Sequence, residues 1–168
     1  MKTVLYIHGR GGSSNGTKIQ NLRKLQKYDV QAFDYQTPTG DNIDDKDDAM
    51  FAQFVQDVKG HIIQVQPDVI VASSYGGAVL LQVILDGAWE KGSVFLAQAG
   101  VKFHIATQIP EHVPAIFIHG TDDDVVDYQG SVLLANSSVN AKLVLVKDGH
   151  RLYTEHSTNA MIEAIDSL

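Results

Sequence analysis

Short, largely apolar runs alternate with segments of helical period along almost the whole chain. The runs are Val4–Ile7, Val30–Tyr35, Val69–Ala72, Ser93–Gln98, Ala115–His119 and Lys142–Val146. A strand that is apolar on both faces needs cover on both faces, and antiparallel sheets rarely provide it. Between the runs, Ile19, Leu22 and Leu25 give Thr17–Tyr28 a helical period. Residues 49–66 place Phe51, Phe54, Val55, Val58, Ile62 and Val65 on one helical face. Segments 76–89, Val125–Ala135 and 154–167 read the same way. Strand and helix in strict alternation predict an α/β fold: a mostly parallel six-stranded sheet inside a three-layer α/β/α sandwich. With 168 residues and neither a repeat nor a linker, residues 1–168 are expected to form a single domain. Two stretches break the rhythm. Residues 36–48 are polar and carry Asp41, Asp44, Asp45, Asp47 and Asp48, and residues 99–113 show no clear helix.

The third run leads into chemistry. Val69-Ile70-Val71-Ala72-Ser73-Ser74-Tyr75-Gly76-Gly77 passes from a strand through small residues into a helical pattern. A serine at such a sharp turn is pushed out of the backbone envelope, at the end of the sheet. The arms of the turn nearly touch, so its neighbours must be small. Ser74 is the candidate nucleophile because Gly76 stands two places on, where Ser73 would have Tyr75. Ala72 takes the place of the first glycine of a G-x-S-x-G turn. Taken alone, such a turn is more often structural than catalytic.

A serine hydroxyl needs a base, and the base needs a partner. His150 follows the sixth strand in Asp148-Gly149-His150-Arg151, at the same sheet edge as Ser74. By itself it would be a loop histidine. Asp123 follows the fifth strand in His119-Gly120-Thr121-Asp122-Asp123-Asp124 and is the candidate acid; a helix-capping role is expected for one of the three aspartates. The oxyanion requires backbone donors. The Arg10 N–H, in the turn His8-Gly9-Arg10-Gly11-Gly12, and the Tyr75 N–H are the candidates, with His8 holding the turn. Serine, aspartate and histidine in that order, each just after a different parallel strand, form a conjunction that its parts do not.

Other chemistries fit less well. The chain has no cysteine, which removes disulfides and thiolate sites. A net charge of -7 disfavours nucleic acid and anionic membrane surfaces as partners. Gly9-Arg10-Gly11 followed by Asp34 suggests a dinucleotide site, but Ser14 stands where the third glycine belongs. Gly16-Thr17-Lys18 reverses the lysine and hydroxyl of a phosphate-binding loop. The 41–48 aspartates lack the glycine and terminal glutamate of a calcium loop. No cofactor or metal is expected. The apolar run after Met1 is too short for a signal peptide, so the expected compartment is the cytoplasm.

The strand–HG-x-G turn, the Ser74 elbow, HGTDDDVV and DGHRL together resemble the α/β-hydrolases over nearly the whole chain, closest to the small YqiA-like bacterial esterases. The resemblance implies a sheet order of 2-1-3-4-5-6 without the family's first two antiparallel strands, and no large lid. Ala72 in the elbow and Asp127, where many members carry proline, depart from the pattern without removing a catalytic group. The expected function is serine hydrolysis of a small-molecule carboxylic ester, with thioester and small amide behind it. A catalytically idle binding module on the same fold is the alternative. Phe103, Ile105 and Ile109 are expected either to line an acyl pocket or to pack against the body. The acidic 41–48 stretch, placed near the mouth, would disfavour strongly anionic substrates.

Overall fold

A computed structural model describes residues 1–36 and 46–168. Six strands form one sheet: β1 (Lys2–Ile7), β2 (Tyr28–Phe33), β3 (Val69–Ser73), β4 (Gly92–Leu96), β5 (Ala115–Gly120) and β6 (Ala141–Val146). Their order is β2-β1-β3-β4-β5-β6, and all five pairings are parallel. The expected three-layer sandwich and strand order are both found.

The sheet's two faces are covered because its central strands are apolar on both. Leu5, Ile7, Ile70, Ala72, Phe95 and Phe117 point to the layer of α2 (Asp48–Val65), α3 (Tyr75–Leu85) and α4 (Gln129–Asn136). Val4, Tyr6, Val69, Val71, Val94 and Ile118 point to the layer of α1 (Thr17–Lys24) and α5 (Glu155–Ser167). Phe95 stacks on Phe117 with ring centroids 4.7 Å apart, at the centre of the first layer. The edge strands have cover to lose, and β2 alternates buried and exposed residues.

Element boundaries depart from the periodicity where the backbone turns left-handed. The helix expected over Thr17–Tyr28 stops at Lys24, because Gln26 adopts φ 51° and Tyr28 already belongs to β2. The helix expected over 76–89 ends at Leu85, just before Gly87 at φ 70°. Residues 99–113 contain no helix, as expected. Of the acidic stretch, Asp41, Asp44 and Asp45 lie outside the described residues. Asp47 caps α2, its side chain accepting from the Met50 N–H.

Candidate active site

All strands run in one direction, so every strand-to-helix turn opens at the same edge. Ser74 lies between β3 and α3 with φ 50° and ψ -114°. A non-glycine residue pays for that conformation, and such strain is characteristic of a nucleophile turn. The turn is held from three sides. The Ser74 N–H donates to the Leu96 carbonyl, and the Ser74 carbonyl accepts from Gly77, Ala78 and Ala99. Gly76 permits the tight passage beside β1. A Cβ there would sit 2.5 Å from the His8 carbonyl oxygen and 2.6 Å from that of Ile7. Ala72, in place of the usual glycine, is buried in the core and leaves the turn intact.

Three of the sequence-predicted residues meet at this edge. The Ser74 Oγ lies 3.0 Å from His150 Nε2. His150 Nδ1 lies 2.8 Å from Asp123 Oδ2. The carboxylate can only accept, so Nδ1 carries the ring proton and Nε2 is left to accept the serine proton. The side chain of Asp123 is fully buried. Burial alone would raise its pKa, but the Val126 N–H, His150 and the Val125 N–H outweigh burial and hold it below the usual carboxylate value. Asp123 therefore stays ionised beside His150.

Asp123 also settles the capping question. Its Oδ1 accepts from the N–H groups of Val125 (2.9 Å) and Val126 (2.8 Å). This local turn replaces the helical start expected at Val125, and α4 begins only at Gln129. Neither neighbour caps it. Asp122 pairs with Lys147 at 2.7 Å, and the Asp127 carboxylate accepts from the Gln129 N–H. Asp124 is exposed on the cavity wall.

His119 is a member of the site that the sequence motifs do not single out. Its Nε2 lies 3.0 Å from Asp123 Oδ2 and 3.0 Å from the Val126 carbonyl oxygen. Both are acceptors, so Nε2 carries the proton and Nδ1 must accept. Nδ1 accepts from the Ser131 hydroxyl at 2.7 Å, and Ser131 Oγ in turn accepts from Gln98 Nε2 at 3.1 Å. The Gln98 Oε1 is held by the Gly100 N–H at 2.6 Å. His119, Ser131 and Gln98 are buried. Burial lowers the His119 pKa and keeps the ring neutral. One carboxylate oxygen thus serves two imidazoles, one buried and one facing the cavity. The signal in the sequence was a histidine four residues before the acid, on a strand otherwise wholly apolar.

The loop that carries His150 is clasped by Asp148. Its Oδ1 accepts from the Gly149 N–H at 2.8 Å. Its Oδ2 accepts from the Thr154 N–H at 2.9 Å and the Ser157 hydroxyl at 2.6 Å. Gly120 lets β5 approach this loop, since a Cβ there would lie 2.2 Å from the Asp148 carbonyl oxygen.

The oxyanion candidates flank Ser74 on the cavity wall. Tyr75 opens α3, where backbone N–H groups have no helical acceptor. Its ring is buried among Phe51, Phe54 and Phe103, with centroids 5.8, 6.1 and 5.8 Å away, and this fixes its backbone. Arg10 lies in the turn after β1, with its guanidinium 5.5 Å from the Tyr75 ring centroid. That turn closes by a Gly12 N–H to Gly9 carbonyl bond of 3.1 Å. His8 has the structural role expected: its Nδ1 donates to the Gly9 carbonyl at 2.8 Å, and its ring stacks on Tyr35.

Ser74 and His150 open onto a cavity of about 910 Å³. Ala99, Phe103, Val125 and Val126 line its apolar side. Of the two outcomes open to these residues, Phe103 both lines the cavity and packs in the core, whereas Ile105 and Ile109 only pack against the core. Tyr153 also reaches the cavity wall.

No protein-family model matches the chain, and no curated protein matches it in sequence. Solved structures do match in fold. A monoacylglycerol lipase from Paleococcus ferrophilus superposes with a TM-score of 0.77 at 13% identity, covering 98% of this chain and 94% of that one. The mouse alpha/beta hydrolase domain-containing protein 10 gives 0.74 at 18% identity, over 98% and 88%. Est1E from Butyrivibrio proteoclasticus, bound to ferulic acid, gives 0.73 at 17% identity, over 99% and 90%. The architecture is therefore that of the α/β-hydrolases.

Proposed function

We propose that this chain is a serine hydrolase that cleaves small carboxylic esters through an acyl-Ser74 intermediate. The observation that carries the reading is the unbroken chain from Ser74 Oγ to His150 (3.0 Å) to the buried Asp123 carboxylate (2.8 Å). Fold alone does not dictate function, so the similarity to a lipase and an esterase supports the reading without carrying it.

The steps follow from the donors and acceptors. His150 Nε2 takes the Ser74 proton as Oγ bonds to the ester carbonyl carbon, and the carbonyl electron pair moves to oxygen. The backbone N–H groups of Arg10 and Tyr75 receive that oxyanion. Asp123 holds the imidazole in the required tautomer and offsets the imidazolium charge. The intermediate collapses, the bond to the alcohol oxygen breaks, and His150 gives its proton to that oxygen. Water then repeats the sequence on the acyl-Ser74 ester, releasing the acid and restoring the hydroxyl. The 99–113 segment forms one wall rather than a deep cap, which favours short or partly exposed acyl groups over long chains.

Covalent labelling with a fluorophosphonate, followed by peptide mapping, tests the reading. A stoichiometric adduct on Ser74, absent in Ser74→Ala, is the expected result. The same variant should keep its fold by circular dichroism and lose ester hydrolysis by at least about 10³-fold. A folded protein that takes no label would favour the binding-module reading instead.

A further inference from the structure

The cavity beside Ser74 has two unlike sides, and strand register decides which residues each receives. Tyr6, Val69 and Val71 face the layer of α1 and α5, and Ser73 continues that alternation. The Tyr6 hydroxyl and Ser73 Oγ meet at 2.6 Å. Lys18 from α1 and Arg151 and Tyr153 from the His150 loop complete this side. The opposite side is mainly apolar, through Ala99, Phe103, Val125 and Val126, with Lys102 and Asp124 also on the cavity wall.

Lys18 is the unusual member. Its ammonium donates to the Arg151 carbonyl and lies 4.7 Å from the Tyr153 ring centroid. No carboxylate lies within ion-pair distance of it among the described residues, in a chain of net charge -7. The nearby Asp148 carboxylate is taken up by Gly149, Thr154 and Ser157. An ammonium offers three donors, and a half-buried one is expected to have an anionic partner. Burial lowers the Lys18 pKa to about 8, with Asp148 working against that and Arg151 adding to it. The Arg151 carbonyl, the Tyr153 ring and the more distant Asp148 thus offset the burial only in part.

The catalytic order places a ligand here. His150 protonates the leaving oxygen, so the alcohol portion of the ester lies against His150 and the loop that follows it. That loop supplies Arg151 and Tyr153, and Lys18 is bonded to it.

We propose that this side is the leaving-group subsite, and that it selects esters whose alcohol portion carries a carboxylate or phosphate to pair with the Lys18 ammonium. The inference rests on ester hydrolysis at Ser74. It runs against the expectation drawn from the acidic stretch, whose Asp41, Asp44 and Asp45 are not among the described residues.

Four acyl esters test it: phenyl acetate, 3-acetoxybenzoate and 3-acetoxyphenyl phosphate with the anion on the leaving group, and monophenyl succinate with the anion on the acyl group. The expected kcat/KM for 3-acetoxybenzoate exceeds that for phenyl acetate by about tenfold, the effect of one charge-assisted contact. Lys18→Met should bring that ratio close to one. The variant also loses the bond to Arg151, next to His150. A displaced His150 would slow both esters together and leave their ratio intact, so the ratio separates recognition from disturbance. In the wild type the ratio should fall as pH rises through about 8, where Lys18 loses its charge. The groups facing Lys18 do not mimic this: Asp148 ionises near 2, burial raises the Tyr6 pKa, and Arg151 and Tyr153 present a carbonyl and a ring. A larger gain with 3-acetoxyphenyl phosphate would identify phosphate as the preferred anion. An unchanged ratio in Lys18→Met, or a Lys18-dependent gain for monophenyl succinate alone, would overturn the proposal. Phenyl acetate left intact by a protein whose Ser74 takes no phosphonate would overturn the hydrolase reading itself, and this subsite with it.

Discussion

At the residue scale, the site depends on one carboxylate doing three things. Asp123 closes its own turn through Oδ1, and through Oδ2 it holds His150 and His119. Its neighbours share none of these bonds. Asp123→Asn is therefore expected to lower kcat by about 10³–10⁴-fold, as wrong-tautomer variants of such triads do. Asp122→Asn and Asp124→Asn should stay within about threefold, because both groups are exposed. Steady-state kinetics on one ester decides it, and the reverse ranking would move the acid. His119 tests the network behind the carboxylate. His119→Leu leaves the Ser131 hydroxyl without its acceptor and takes a donor from Asp123. The expected loss is about 1–3 kcal/mol in urea unfolding. A neutral result would mean that the buried chain through Ser131 and Gln98 contributes nothing to the fold.

At the element scale, the question is how a helix can start directly behind a reactive side chain. The β3–α3 turn passes so close to β1 that the position after Tyr75 has no room for a side chain. Gly76→Ala would drive a Cβ into two backbone carbonyls, which cannot swing aside as a flexible side chain could. The expected cost is about 1–3 kcal/mol of overpacking, seen as a lower urea midpoint. Activity should fall further than stability, since α3 must shift and its first N–H belongs to Tyr75. Activity retained with stability lost would remove the Tyr75 N–H from the oxyanion role. The His150 loop is organised differently. Leu152 buries its side chain in the core on the α5 side, and the Asp148 carboxylate ties the loop to the start of α5.

At the scale of the whole molecule, these buried and bonded groups set the response to acid. His119 is held neutral by burial, so below the ordinary histidine value of 6.5 the unfolded chain takes a proton before the folded one does. Folding stability then rises with pH in that window and falls as pH is lowered. Asp148 acts in the same direction further down. Burial would raise its pKa, but the Ser157 and Thr154 bonds prevail and bring it to about 2, against 3.8 for an ordinary aspartate. Its contribution is full above 3.8 and is lost as pH falls toward 2. Thermal unfolding between pH 8 and pH 2 should therefore show Tm declining in two stages. His119→Leu should flatten the upper stage, and Asp148→Asn the lower. A single decline unaltered by either variant would assign acid lability to other groups. No described helix is long and apolar enough to cross a membrane, and the buried apolar side chains are divided between the two layers around the sheet.

Much of this was legible in the chain because parallel sheets leave a plain trace. Val69–Ala72 and Ala115–His119 are apolar on both faces, and only a sheet covered on both sides can bury them. That sheet has a single edge at which strand ends meet helix starts. Ser74, Asp123 and His150, each just after a strand, were therefore bound for the same edge before any distance was known. What adjacency in sequence could not carry was the direction of side chains across it. The second imidazole on Asp123, the Asp148 clasp and the facing of Lys18 into the cavity each join residues far apart in the chain or on different elements. Helix ends were also misplaced, at Gln26, Gly87 and the Asp123 turn, because left-handed backbone and local side-chain bonds override hydrophobic period. Sequence determined the layers and the edge, since burial of apolar strands is a property of composition along each run. Tertiary structure alone decided which polar groups meet there, because hydrogen bonds depend on positions in space that no pattern along the chain encodes.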